Sequence, residues 1–333
     1  MQVHDLSAGD DVLTRVESVA RRALRHYDVS PDAEVTLVNV SENATFTVDD
    51  GGLRTILRVH RLGYHSRDAI ASELAWLEAL RADEGIRTPA VLPARDGSRV
   101  LTVEDPGAEP RDCVMFEFLS GGEPAQDRLV EDFEQLGAIT ARMHRHARQW
   151  PRPASFTRFH WDCEAAFGSV ARWGRWQDGA GVDKEAHDVL SRLEAELRER
   201  LARFGRGPER YGLIHADLRP ANLLADDDAG TGVIDFDDCG LGWYLYDLGA
   251  AVSFMEHDPQ VPRMADSWVR GYRSVLDLPE DDAAEIWTFI MFRRLLLVAW
   301  IGSHSAVDVA RELGAGYTRG SCELAERYLT GSL

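Results

Sequence analysis

Two short segments constrain this 333-residue chain most. The first is Leu213-Ile214-His215-Ala216-Asp217-Leu218-Arg219-Pro220-Ala221-Asn222. The second, one hairpin later, is Val233-Ile234-Asp235-Phe236-Asp237-Asp238. Between them Asp226-Asp227-Asp228 precedes Ala229-Gly230, which reads as a solvated hairpin tip. The apolar strand Gly232 to Ile234 runs straight into Asp235, so the carboxylate lands where the strand ends. A carboxylate such as Asp217 can orient a reacting hydroxyl or take its proton. The oxygens of Asn222 and Asp235 are hard donors of the kind Mg²⁺ accepts while keeping several of its waters. Asp237 is either a further metal ligand or a hydrogen-bonding brace.

A chain of this length exceeds one typical domain and suits two lobes sharing a cleft. Its 37 basic against 56 acidic residues give a formal charge of −19. That argues against a nucleic-acid partner, whose phosphates reward a basic face. It is compatible with a cationic small molecule, although acidity also simply keeps a protein soluble. No uninterrupted apolar run reaches the roughly eighteen residues of a membrane span, so no transmembrane helix is expected. Met1 to Asp11 is polar and acidic and lacks a secretory apolar core. Cys113, Cys163, Cys239 and Cys322 form no C-x-x-C pair, so reduced thiols in the cytoplasm are the expectation.

Helical spacing of Val12, Leu13, Val16, Val19, Ala20, Ala23 and Leu24 predicts an opening helix over Asp11 to Tyr27. Strands are predicted at Glu34 to Asn39, Thr45 to Val48 and Leu53 to His60, the last two joined by Asp49-Asp50-Gly51-Gly52. A helix over Tyr64 to Arg81 and strands at Arg99 to Val103 and Cys113 to Phe118 follow. Leu119 to Pro124 is rich in breakers and marks a boundary. The expected organisation is therefore a small lobe at 1–118, a hinge at 119–124 and a helical lobe at 125–333. In that last part, helices are predicted at Gln126 to Arg148, Lys184 to Arg203, Leu245 to Glu256, Pro262 to Val275, Glu280 to Ile301 and Ser305 to Tyr328. Pro151 to Gly181 lacks periodicity and reads as an insertion.

The pattern His-x-Asp-Leu-x-x-x-Asn followed by a strand ending in Asp is the spacing of a kinase catalytic centre. The chain resembles the aminoglycoside phosphotransferase and choline kinase superfamily. Leu57-Arg58-Val59-His60-Arg61 and Asp235-Phe236-Asp237-Asp238 look most like its homoserine-kinase-type and stress-response-kinase-type branch. The resemblance implies an α+β, bilobal protein-kinase-like fold, with a small antiparallel sheet lobe and a large helical lobe. It also implies transfer of a phosphoryl group from ATP, or GTP, with Mg²⁺, to a hydroxyl. Asp217 would orient that hydroxyl and Asn222 with Asp235 would hold the metal. Arg219 stands where many small-molecule relatives carry His or Asn; it would reach the transferring phosphoryl oxygens or form a salt bridge in the large lobe. His215 would brace the loop from behind.

Along Leu53 to His60, alternation puts Ile56, Arg58 and His60 on one face and Leu57 and Val59 on the other. By resemblance Ile56 would cover the adenine and Arg58 grip the α- and β-phosphates, paired with Glu73 of the following helix. The turn Val40-Ser41-Glu42-Asn43-Ala44-Thr45-Phe46 lacks the G-x-G-x-x-G pattern. Its backbone N–H groups, with Ser41 and Asn43, could still cap phosphates. Glu117-Phe118-Leu119 is the candidate adenine hinge, through main-chain groups of Glu117 and Leu119, with Met115 and Phe116 in the core and pocket wall.

Two absences favour a small acceptor over a protein. The His-Ala-Asp sequence lacks the Arg that receives an activation-loop phosphate in many protein kinases, and the segment between Asp235 and Leu245 is short and has no Ala-Pro-Glu. Candidate acceptor contacts are Asp162, Trp161, Trp243, Tyr244, Glu256, His257 and Asp258, each with capping or packing as its alternative. Asp247 reads as a brace of the catalytic loop. Arg293 and Arg294, in the apolar run from Phe289 to Trp300, require buried acidic partners. The function expected is phosphorylation of an amine-bearing small molecule such as an aminoglycoside, amino alcohol or homoserine-like compound. The alternatives are a Ser/Thr protein kinase of the stress-response type and a silent nucleotide-binding module.

Overall fold

Strand alternation and helix capping account for most of the first half of the chain. The computed structural model describes residues 9–40, 43–305 and 307–333. Elements are numbered in chain order. Helix α1 (Gly9–Ala23) ends before the predicted Tyr27, in a 3₁₀ turn over Leu24–His26. Strands β1 (Glu34–Val40), β2 (Ala44–Asp50) and β3 (Leu53–Val59) form a meander. Helix α2 (Arg67–Glu84) starts where the Ser66 hydroxyl accepts from the Ala69 N–H and stops at Gly85, whose left-handed backbone closes the last turn. Then come β4 (Val91–Leu92), which the sequence pattern did not reveal, β5 (Leu101–Val103) and β6 (Arg111–Glu117).

These strands form one antiparallel sheet in the order β1-β2-β3-β6-β4, with β5 also paired to β6. One face, through Phe46, Val48, Leu57, Val59 and Met115, packs on Val16, Val19 and Leu24 of the opening helical segment. The other face carries Ile56 and Arg58.

The chain divides into two compact units, residues 1–121 with 152–157, and 122–151 with 158–333. Gly122, inside the stretch expected to be a hinge, exchanges both main-chain hydrogen bonds with Ala225 of the second unit.

The second unit contains α3 (Leu129–Gln149), β7 (His160–Trp161), α4 (Cys163–Phe167), α5 (Lys184–Phe204) and β8 (Tyr211–Ile214). Next are β9 (Leu223–Leu224), β10 (Gly232–Val233) and β11 (Gly240–Trp243). Helices α6 (Tyr246–Ala251), α7 (Val261–Arg273), α8 (Glu280–Ala283), α9 (Ile286–Ser303) and α10 (Asp308–Leu329) complete it.

Three helix predictions need correction. The Leu245 to Glu256 helix is only the six-residue α6, because Phe254 adopts a left-handed φ of 70° that no helix continues through. The Glu280 to Ile301 helix is two, α8 and α9. The last helix is kinked at Gly314, whose φ of 43° and ψ of −140° only glycine adopts readily.

The membrane expectation also needs refinement. Glu280–Ser303, with a mean hydropathy of 1.4, contains an eighteen-residue stretch apolar enough to cross a bilayer, yet 78% of that stretch is buried within the protein. Its helix α9 is the hub of the second unit, packed against α5, α6 and α10.

Candidate active site

In the first unit, Arg58 and Glu73 meet as the resemblance implied. The Arg58 guanidinium donates to Glu73 Oε1 at 2.5 Å, and both side chains are almost wholly buried. The Phe116 ring lies 5.1 Å from the guanidinium carbon, so the cation is held between a carboxylate and an aromatic face. Ile56, beside it on the same face, is half-buried.

Asn43 takes a different part from the one expected. It is buried, and its side-chain oxygen accepts the Arg61 N–H at 3.1 Å. It therefore ties the β1–β2 turn to the end of β3. Ser41 lies outside the described residues. The Glu117 N–H is taken by the Ala90 carbonyl, and its carboxylate pairs with Arg81 at 3.2 Å on the surface. Leu119, two residues on, is half-buried.

In the second unit the two signature segments are brought together by a β-ribbon. Leu223 pairs with Val233 and Leu224 with Gly232, and the Ile234 N–H donates to the Asn222 carbonyl. That register sets the Asn222 carbonyl against the Val233–Ile234 peptide, one residue before Asp235. His215 links the same two segments: its Nε2–H donates to the Ile234 carbonyl at 3.1 Å, and its Nδ1 accepts the Asp217 N–H at 3.3 Å. This pair of bonds selects the Nε2-protonated tautomer.

The loop that presents Asp217 is strained and clamped. Ala216 has a left-handed φ of 67°, which costs a residue with a Cβ roughly 1–2 kcal/mol. Asp247, at the start of α6, holds it there: its carboxylate accepts the His215 N–H at 3.2 Å and the Ala216 N–H at 2.7 Å. Asp247 is held in turn by His144 of α3 at 2.9 Å, whose other nitrogen meets the Tyr272 hydroxyl at 3.0 Å.

Asp217 itself sits among cations. Oδ1 accepts from Arg293 at 2.7 Å and from Arg219 Nε at 3.2 Å, and Oδ2 accepts from the Asn222 amide at 2.8 Å. Burial works against its ionised form, but Arg219 and Arg293 outweigh that and hold the carboxyl below the usual carboxylate range. A carboxylate stabilised in this way is a weak base and acts chiefly by orienting a hydroxyl. The Arg219 guanidinium also lies 5.6 Å from the centre of the Phe254 ring.

Because the Asn222 NH₂ group faces Asp217, its amide oxygen is the group left for a metal. Asp235 follows in a left-handed conformation, φ 61°, at the turn out of the ribbon. Two hard oxygen donors completed by phosphate oxygens and water suit Mg²⁺, which rarely needs an all-protein cage. Among the described residues there is no cluster of three or more His, Cys, Asp or Glu side chains that could hold a metal. The segment after Asp235 is anchored by groups that sequence reasoning missed. Arg158 donates to the carbonyls of Asp237 and Cys239, the latter at 2.5 Å, and the Trp161 N–H donates to the Asp238 carbonyl at 2.7 Å. Asp237 is buried. Nothing local to Arg158 signals this role, since its partners lie about eighty positions away.

Four of the seven residues expected to contact the acceptor, Trp161, Trp243, Tyr244 and Glu256, are buried core groups instead. Trp243 is 1% exposed and donates to the Gly205 carbonyl at 2.7 Å. Glu256 is 2% exposed, with one oxygen on Arg294 at 2.6 Å and the other on the Tyr317 hydroxyl at 2.8 Å. Asp162 caps α4, accepting from the Glu164 and Ala165 N–H groups, and pairs with Arg206 at 3.0 Å. Asp258 is half-buried and accepts the Gln260 N–H before α7. Capping and packing thus account for the contacts just given for Trp243, Glu256, Asp162 and Asp258. Asp226 forms the solvated turn expected of it, accepting the Asp228 and Ala229 N–H groups.

The model of the phosphotransferase enzyme family (APH) matches residues 34–285. The chain belongs to this family. Among solved structures it is similar to a microcompartment-associated aminopropanol kinase, at 50% identity and a TM-score of 0.88, with 95% of this chain and 98% of that one covered. It is also similar to the amicoumacin kinase hAmiN, solved with AMP-PNP, Ca²⁺ and Ami, at 22% identity and a TM-score of 0.77, covering 96% and 95% of the two chains. A curated relative, the homoserine kinase of Gluconobacter oxydans, is 27% identical over 297 residues, 84% of this chain and 86% of its own. This APH-family member is thus an α+β protein of the protein-kinase-like fold. It is a kinase, a phosphotransferase acting on hydroxyl groups of small molecules.

Proposed function

We propose that this enzyme transfers the γ-phosphoryl group of ATP to the hydroxyl of a small amino alcohol. The observation that carries the reading is the 50% identity to an aminopropanol kinase across 95% of the chain. The acidic balance, −19 overall, suits an acceptor that is a cation at neutral pH.

In this reading the acceptor oxygen bonds to the γ-phosphorus as the bridging bond to the β-phosphate breaks. ADP leaves, and the proton of the hydroxyl, whose hydrogen bond Asp217 accepts, is lost to solvent as the bond to phosphorus forms. Asp217 orients the hydroxyl, and Arg219 offsets charge on the transferring group. Arg58, aligned by Glu73, grips the α- and β-phosphates. Ile56 covers the adenine, whose edge meets main-chain groups of Glu117 and Leu119. Asn222 and Asp235 are the residues that hold Mg²⁺, which supplies positive charge to the phosphates when bound; Asp237 is a further candidate ligand. Asp258 remains a candidate for acceptor recognition. A cytoplasmic location belongs to the same reading, as expected from cysteines that form no C-x-x-C pair in the sequence.

The test is ADP release with ATP and Mg²⁺ over a panel of 1-amino-2-propanol, ethanolamine, homoserine and an aminoglycoside. Turnover with the amino alcohols at a kcat/KM at least about tenfold above the others supports the reading. Preference for homoserine or the aminoglycoside overturns the acceptor class.

A further inference from the structure

Helix α9 carries two adjacent arginines inside an otherwise apolar stretch, and they do different things. Arg294 pairs with Glu256 and donates also to the Ser321 hydroxyl and the Tyr317 carbonyl. Arg293, 2% exposed, turns instead to the loop that presents Asp217. Its Nη2 donates to Asp217 Oδ1 at 2.7 Å. Its Nη1 donates to the Ala216 carbonyl at 3.2 Å and to the Tyr246 hydroxyl at 3.0 Å, and its Nε to Ser253 Oγ at 3.1 Å. The Trp173 ring lies 4.9 Å from the guanidinium carbon. Every nitrogen of this cation is therefore engaged with the protein, which holds it in one place.

The strained residue Ala216 is pinned from both sides. Its N–H is held by Asp247 of α6 and its carbonyl by Arg293 of α9. The same guanidinium fixes the carboxylate of the next residue. A single buried side chain thus sets both the backbone turn and the rotamer of the group that meets the acceptor hydroxyl. Effective catalysis depends on holding such a group to within a fraction of an ångström.

We propose that Arg293 is a positioning residue for the transfer reaction, acting through the Ala216 carbonyl and the Asp217 carboxylate. This rests on the catalytic role given to Asp217 above. Arg219, half-exposed beside the same carboxylate, is the guanidinium free to adjust to the phosphoryl group, while Arg293 is the fixed one.

The experiment is a double-mutant cycle with ATP, Mg²⁺ and 1-amino-2-propanol as the probe acceptor. Arg293→Met is expected to lower kcat about 100-fold or more while both KM values stay within about threefold, and Arg293→Lys to recover at least about tenfold of that loss. Added to Asp217→Asn, Arg293→Met should cost less than about threefold more, because it acts through Asp217. Arg294→Met, the same change one residue along, should lower the melting temperature with kcat within about threefold of wild type. A kcat for Arg293→Met within threefold of wild type overturns the proposal, as do losses that multiply fully in the double mutant. Should Arg293→Met not fold, Ser253→Ala and Tyr246→Phe remove two of the anchors of the guanidinium; an unchanged kcat in both overturns the proposal equally. Absence of turnover with any amino alcohol sinks the acceptor assignment alone. The cycle is then read on ATP hydrolysis, the transfer to water, where the same non-additivity is required.

Discussion

A carboxylate bonded to two guanidiniums and an amide has little use as a strong base, and Asp217 is in that position. Asp217→Asn keeps the shape but loses the charge that orients the hydroxyl. Transfer should fall by about 10²–10⁴-fold, with nucleotide affinity, measured by calorimetry, unchanged. Arg58→Met leaves Glu73 buried without its partner, which is expected to destabilise the protein by about 3–5 kcal/mol. It should also raise the KM for ATP with the acceptor KM unaffected. Glu256 gives the converse case. Its carboxylate is closed off by Arg294 and Tyr317, so Glu256→Gln should shift the urea midpoint to lower concentration, again by roughly 3 kcal/mol, and leave the acceptor KM as it was. A rise in acceptor KM without loss of stability would return Glu256 to the substrate site. The sequence singles out Asp217, Asn222 and Asp235 as candidates because their spacing along the chain is the signal, and the fold gathers their segments at one ribbon. It misplaces Trp243 and Glu256 because burial is a property of surroundings, not of residue type.

At the scale of elements, α3 and α7 owe their packing to two glycines. A Cβ on Gly271 would stand 1.8 Å from the Glu134 carbonyl oxygen, and one on Gly137 would stand 2.0 Å from that of Trp268. Each helix presses its bare backbone against the other, so no side chain can move aside to relieve the clash. Gly271→Ala, which ordinarily favours a helix, is therefore expected to destabilise by at least about 1–3 kcal/mol, measured by urea denaturation. A neutral or stabilising outcome would mean that the helices can separate freely. The consequence reaches the catalytic loop, since α3 carries His144 and α7 carries Tyr272, the two groups behind Asp247. Helix periodicity locates α3, α5 and α7 to within a few residues. It says nothing of which faces touch, and it carries the prediction past Phe254, where a left-handed residue ends the regular structure.

Across the whole molecule, the buried chain from Tyr272 through His144 to Asp247 links folding to pH. Burial lowers the pKa of His144 from its ordinary 6.5, against the opposing pull of Asp247. The unfolded chain therefore takes up this proton before the folded one does. The stability that depends on neutral His144 is fully present above about pH 6.5 and is lost progressively as the pH falls below it. Unfolding free energy, measured by urea titration from pH 7.5 to 5, should decline over this window. In His144→Gln the part of the slope due to this group should disappear, while a slope identical to wild type would assign the pH dependence elsewhere.

What the sequence by itself determined is the chemistry and the class of fold. The groups proposed to react lie within short segments, so their mutual placement follows from local strand and loop geometry. The alternation of β3 likewise separates Arg58 from the core without reference to the rest of the chain. Only the tertiary structure decided which distant groups hold that chemistry in place. Arg293 stands 76 positions from Asp217, His144 103 from Asp247 and Arg158 about eighty from the carbonyls it binds. An arginine in an apolar helix announces that it needs a partner. Which partner it finds is settled by the packing of α9 against α6 and α10, because burying a charge is tolerable only where the fold brings an acceptor to meet it.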